Sequence, residues 1–365
     1  MERPIFKPLG TAAENLDPSS MVVDVSILDK NIRTMHSYLS DCKAKLRPCV
    51  NSHLSPAIAH KQLSAGLTCG ISVNTLSQAE VFAEYGFPDI LLANIVTTRT
   101  KIARLLALIR TTKITVAVDS LVNINALSDA AIASKSTIDV VVCLNNNLDS
   151  IGVPPGKYAT DLAKSVAESN GLYFSGLIAY DTHSPELDET EFTDKTTAYF
   201  SQILDTKHTL EKSGIDVPTL GICGTRHYNL AASTEDVTEI LAGTYALMGA
   251  SHIKHCSEFD PAARILSVVI STPEPNLAII DAGRKTVGAD SGMPIIQNVP
   301  GAIVKGLSAE HGTIELPNIN VNVGDKIWVL PWDISETVNL HDYIQVVREG
   351  CLEAVWDVPA RGTYL

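Results

Sequence analysis

Between about residues 20 and 250, short runs of β-branched and aliphatic residues alternate with longer stretches whose apolar residues recur at helical spacing. That alternation leaves few folds open, because strands separated by helices can pair only in parallel. The runs fall at 45–50, 67–73, 89–94, 114–119, 139–144, 173–180, 219–223 and 240–247, with helical patterns at 77–85, 100–109, 121–133, 158–169 and 194–213 among them. Eight such strands predict a (β/α)8 barrel of the TIM type. Beyond residue 251 the runs at 263–271, 277–282, 326–330 and 343–347 follow one another without helices, with Gly and Pro at the turns, which predicts a C-terminal all-β domain. The expected division is 1–250 for the barrel and 251–365 for the β domain, with about the first 20 residues packing on the latter.

In a (β/α)8 barrel the C-terminal strand ends carry the chemistry. Here they bear Asn51 and His53, Asn74, Asn94, Asp119, Asn145, Tyr180 with Asp181 and His183, Thr225 with Arg226, and Tyr245. A net charge of −13 with no Lys/Arg cluster excludes a nucleic-acid or anionic-membrane partner by the ordinary electrostatic criteria. No apolar run reaches the ~20 residues that a membrane helix needs. The seven cysteines lack regular spacing and read as reduced thiols, so a cytoplasmic address is expected.

The segment Leu46-Arg47-Pro48-Cys49-Val50-Asn51-Ser52-His53 resembles the Arg-Pro-His-x-Lys-Thr-His-Lys signature of the D-serine dehydratase-like and D-threonine aldolase-like branch of the fold-type III pyridoxal phosphate enzymes, whose N-terminal domain is that of alanine racemase. The segments at 71–80, 89–94 and 116–120, Asp281-Ala282-Gly283-Arg284-Lys285 and Val338-Asn339-Leu340-His341-Asp342 look like further motifs of the family. The resemblance implies a barrel plus β domain, a homodimer, a small-molecule substrate and a pocket at the strand ends.

Four departures fall on the parts of that family that hold cofactor and metal. Asn51 stands where the resemblance implies the Schiff-base lysine, and Cys49 where it implies a histidine. A carboxamide is not nucleophilic and forms no imine. Ser150 occupies the position of the arginine that supports the pyridine nitrogen. The metal pair is reduced to Asp333 and Ser335, a poor zinc site, so no metal is expected. The phosphate loop reads Cys223-Gly224-Thr225-Arg226-His227-Tyr228, and with Gly243, Thr244 and Tyr245 it retains groups able to hold phosphate. Lys45 lies six residues before Asn51, roughly 20 Å back at ~3.3 Å per residue, and cannot replace the missing lysine. The resemblance places Lys285 near a pocket, but a family motif already accounts for it.

Tyr180 and His183 match the family's Tyr-x-Gly-His segment, whose histidine the resemblance implies as a base, and His53 also matches. These three are the catalytic candidates. Arg226, Asn51, Arg47, Cys49, His227 and Tyr245 are the substrate-binding candidates. Three functions are open. The first is a cofactor-independent acid/base isomerase, lyase or cyclase acting on an already activated carbonyl, imine or carboxylate. The second is a catalytically silent relative that binds a ligand or partner. The third is a D-amino-acid dehydratase or aldolase that holds pyridoxal phosphate noncovalently. The retained proton donors and acceptors put the first ahead, without a cofactor.

Overall fold

The computed structural model describes residues 6–146, 150–180, 187–317 and 321–364. The chain divides into two compact units. One comprises residues 36–51 and 62–243 with the last few residues, and the other 1–35, 52–61 and 244–362.

The first unit is the barrel. It takes β2 (Lys45–Pro48), β3 (Ile71–Val73), β4 (Asp89–Ile95), β5 (Lys113–Val118), β6 (Ile138–Asn145), β7 (Leu172–Tyr180), β8 (Thr219–Cys223) and β9 (Glu239–Ala242), all paired in parallel in the order β2-β9-β8-β7-β6-β5-β4-β3. Two isolated parallel bridges, Leu46 to Thr68 and Cys49 to Ser72, meet across the remaining seam. The helices are α3 (Leu76–Glu84), α4 (Arg99–Leu108), α5 (Leu121–Ser134), α6 (Lys157–Glu168), α7 (Glu189–Lys212) and the short α8 (Tyr228–Ser233). Thr75 opens α3 with a capping box against Gln78, and Thr98, Ser120 and Asp188 cap α4, α5 and α7 through their side chains. Such caps satisfy amides that the first helical turn leaves unpaired.

Alternate residues of the strands fill the barrel axis with Leu91, Ala93, Ala117, Val141, Cys143, Ile178, Cys223 and Leu241, against which Cys49 and Tyr180 pack. The expected strand at 240–247 ends at Ala242, and Thr244–Ala246 form a 3-10 turn. The expected strand at 67–73 begins only at Ile71, since Gly70 takes a φ of +114° that a strand residue does not adopt.

The second unit is built on a sheet of order β13-β14-β11-β10-β1-β16-β17. Its strands are β1 (Ser20–Asp24), β10 (Ala263–Glu274), β11 (Leu277–Ile280), β12 (Ile295–Ile296), β13 (Ile303–Leu307), β14 (Gly312–Glu315), β15 (Lys326–Leu330), β16 (Tyr343–Arg348) and β17 (Cys351–Asp357), with β15 on β10 and β12. The N-terminal β1 lies inside this sheet, antiparallel to β10 and parallel to β16. Val22 joins Leu16, Leu266, Val347 and Leu352 in a buried cluster. None of the described helices is long and apolar enough to cross a membrane.

Candidate functional site

The mouth of the barrel, where the parallel strands end, is the candidate site. Its lower wall is apolar and thiol-lined. Burial pushes the Cys49 thiol up to about 12, although Ser72 hydrogen-bonds to it, and drives Cys143 and Cys223 upward as well. Tyr180 lies over these sulfurs and donates its hydroxyl proton to the Ala93 carbonyl at 2.6 Å. Burial holds its phenol far above the ordinary tyrosine range.

Around this plug the strand ends are tied to one another. The Asn94 carboxamide donates to the Asn74 carbonyl at 2.8 Å. Asn145 donates to the Ile151 carbonyl at 2.8 Å, and Asp119 accepts from the Gly152 amide at 3.2 Å. Ile151 and Gly152 are therefore held by Asn145 of β6 and by Asp119, which follows β5, and Ser150 is exposed. Asn51, which follows β2, is half-buried in a 3-10 turn, Val50–Ser52.

The loop after β8 closes tightly. Gly224 has a φ of +139°, and a Cβ there would lie 2.3 Å from the His227 ring. His227 makes a 2.8 Å hydrogen bond between its Nε2 and the Cys223 carbonyl, and its ring packs with Phe192 and Phe200. The Arg226 guanidinium stacks on Phe192 at 3.7 Å, donates to the Leu187 carbonyl at 3.0 Å and lies 3.6 Å from Glu189.

Several candidates named from sequence therefore take other roles. Arg47 is not at the mouth at all. Its guanidinium turns back toward the foot, bidentate to Glu239 at 2.7 and 2.9 Å and bonded to Asp89 at 2.8 Å, the first residues of β9 and β4. Cys49 packs half-buried against the apolar plug of the barrel axis. Tyr180 gives its only proton to a backbone carbonyl, a bond that ties β7 to β4. His227 and Arg226 are held against α7, His227 closing its own loop and Arg226 anchoring the start of the helix. His183 and Asp181 lie outside the described residues.

The candidates of the other unit form a separate set. His53 is fully buried, and its Nδ1 accepts the Ser55 amide at 3.2 Å, just before α2 (Pro56–Ser64). Tyr245 is also fully buried, 5.7 Å between ring centroids from Phe259. Asp333 caps α10 (Ile334–Val338), its Oδ1 accepting from the Ser335 amide and hydroxyl and the Glu336 amide. His341 bonds to the Thr286 carbonyl at 2.8 Å. Asp281 accepts from Ser267 and the Val268 amide, and Lys285 pairs with Glu310 on an exposed face.

The retained groups fit a phosphate and do not fit a covalent link. The tight glycine turn at Gly224 and the buried Thr225 persist, with Gly243 closing β9 and Thr244 following it. The only strand-borne lysines of the barrel unit among the described residues, Lys45 and Lys113, both lie at the N-terminal ends of their strands. Among the described residues the C-terminal ends of the barrel strands therefore offer anion donors and carry no lysine.

Residues 23–251 match the alanine racemase N-terminal domain, and 262–347 a serine dehydratase domain. The chain is 31% identical to a D-threonine aldolase of an Arthrobacter species over 97% of its own length and 95% of that protein. It is 30% identical to a 3-hydroxy-D-aspartate aldolase of Paracoccus denitrificans, covering 97% of the chain and 94% of the relative. The crystal structure of D-threonine aldolase from Filomicrobium marinum superposes with a TM-score of 0.93 at 31% identity, over 98% of this chain and 99% of that one. These end-to-end matches to aldolases overturn the cofactor-independent function expected first. They favour the pyridoxal phosphate alternative and remove the ground for expecting no cofactor.

Proposed function

Because this chain belongs to the alanine racemase N-terminal domain family, fold-type III, we propose that it is a lyase that cleaves D-3-hydroxy amino acids with pyridoxal phosphate held noncovalently. The observation that carries this reading is the near-complete alignment with D-threonine aldolase combined with a glycine turn and buried Thr225 at the phosphate loop. Gly224, Thr225, Gly243 and Thr244 would hold the phosphate. When bound, the cofactor supplies the electron sink that an amino acid α-carbon otherwise lacks.

Asn51 sets the difference from a lysine-bearing relative. Its carboxamide can hydrogen-bond to cofactor or substrate but cannot attack an aldehyde, so the cofactor stays exchangeable. Cleavage of the bond between Cα and Cβ requires removal of the proton from the 3-hydroxyl. His183 is the base that the sequence offers for this. A small-molecule substrate and a homodimer belong to the same proposal.

The test is titration with pyridoxal phosphate followed by borohydride reduction and an assay for glycine and acetaldehyde from D-threonine. Saturable absorbance, cofactor lost on desalting, no borohydride-fixed lysine and product formation are expected. A cofactor fixed to a lysine would overturn the noncovalent link. Absence of both binding and product across a panel of D-3-hydroxy amino acids would overturn the lyase reading.

A further inference from the structure

The foot of the barrel, opposite the candidate site, contains a cavity of about 220 Å³ lined by side chains of β2, β4, β5, β6, β7, β8 and β9. It has room for several waters, or for a small ligand. Its walls are rigid on one side. Arg47 is shared between Glu239 and Asp89, and Lys113 bonds to the second Asp89 oxygen at 2.7 Å. Gly70 makes room for this network, since a Cβ there would meet Arg47 at 2.7 Å and the Asp89 carbonyl at 2.5 Å.

On the other side stands Asp139. Burial raises its carboxyl above the usual carboxylate range, with Lys113 opposing the rise. Among the described residues its carboxylate has neither a hydrogen bond nor an ion pair, whereas the two other carboxylates are paired. The lining carries Arg47 and Lys113 against Glu239 and Asp139, with Asp89 behind the two cations, so Asp139 is the carboxylate of the lining that no ion pair engages. Thr115, directly across the β5–β6 ladder from Asp139, and Thr219 on β8 add hydroxyls, and the half-exposed ring of Tyr173 stands at the rim.

A carboxylate with no direct hydrogen bond or ion pair, hydroxyl acceptors and an aromatic face are the groups that receive an organic ammonium. We infer that this cavity is a second binding site, distinct from the mouth, for a small primary ammonium whose charge pairs with Asp139. The site stands independently of the proposed lyase activity.

The test uses the full chain and three probes: n-propylammonium chloride, neutral 1-propanol, and potassium chloride at matched ionic strength. Propylammonium should raise the Tm and shift backbone amides at residues 113–115, 139–141, 173–175 and 219, while the other two should not. Asp139→Asn should weaken the propylammonium titration at least tenfold and, having removed a carboxylate whose charge burial disfavours, should have a higher Tm than the parent in buffer alone. Thr115→Val should weaken it several-fold. Equal responses to propylammonium and propanol, a matching response to potassium chloride, shifts confined to other regions, or undiminished binding by both variants would each overturn the inference.

Discussion

At the foot of the barrel four charged side chains line a cavity, three of them joined through Arg47 and Asp89, whereas the inner wall of the mouth is made of three thiols, a phenol and carboxamides. Both ends belong to the same eight strands. Ionic contacts in a partly desolvated setting fix geometry because breaking one strands its partner. A neutral lining imposes no such cost. The foot can thus brace the seam beside β2 while the inner wall of the mouth imposes no such ionic constraint.

Arg47→Leu is the strongest way to break this contrast. It strands the Glu239 carboxylate and half of the Asp89 pairing, and loss of one partner from a buried pair costs about 3–5 kcal/mol. Urea unfolding should show that loss, and an unchanged midpoint would mean that the foot is not a brace. Tyr180→Phe probes the other end. It removes the 2.6 Å bond to Ala93 and should cost about 1–1.5 kcal/mol by the same measurement, with turnover kept. A variant as stable as the parent but inactive would return Tyr180 to the catalytic set.

The smallest effect sharpens the comparison without mutation. A thiol at about 12 has roughly a 10⁻⁴ thiolate fraction at pH 8, since 12 − 8 is four units. Cys49 should therefore label about a thousandfold more slowly than exposed Cys351, and its rate should climb about tenfold per pH unit up to that value. Rapid labelling of Cys49 at pH 8, followed by peptide mapping, would show that the barrel axis opens to solvent.

The strands were largely legible because apolar runs and helical periodicity are local properties. Thr219–Cys223 falls where the pattern put it. The positions of side chains along those strands were legible too, though not fully used. Arg47 lies within β2, ahead of Asn51, and its long side chain reaches back to Glu239 and Asp89 at the starts of β9 and β4. Family motif membership had placed it with the substrate instead. Asp333 also had a local signature, Asp-Ile-Ser-Glu, which is a helix-cap pattern. Tyr180 is different. Its partner is a backbone carbonyl on a strand three places away in the sheet, and nothing in the residues around either one announces the pairing. His227 likewise owes its surroundings to Phe192 and Phe200, from a distant helix.

The place of β1 in the second sheet bears on how this polypeptide is made. Ser20–Asp24 pairs with β10 and β16, and the register joins Ser20 to Leu266 and Val22 to Gln345. At a ribosomal rate of ~5–20 residues per second, β1 waits on the order of tens of seconds for neighbours that do not yet exist. Meanwhile the parallel strands from Lys45 to Ala242 emerge in an unbroken succession between them. A nascent chain can thus complete its barrel strands before its first strand has anything to join, and early synthesis leaves Met21, Val22 and Val23, all buried in the finished sheet, exposed to whatever surrounds the ribosome.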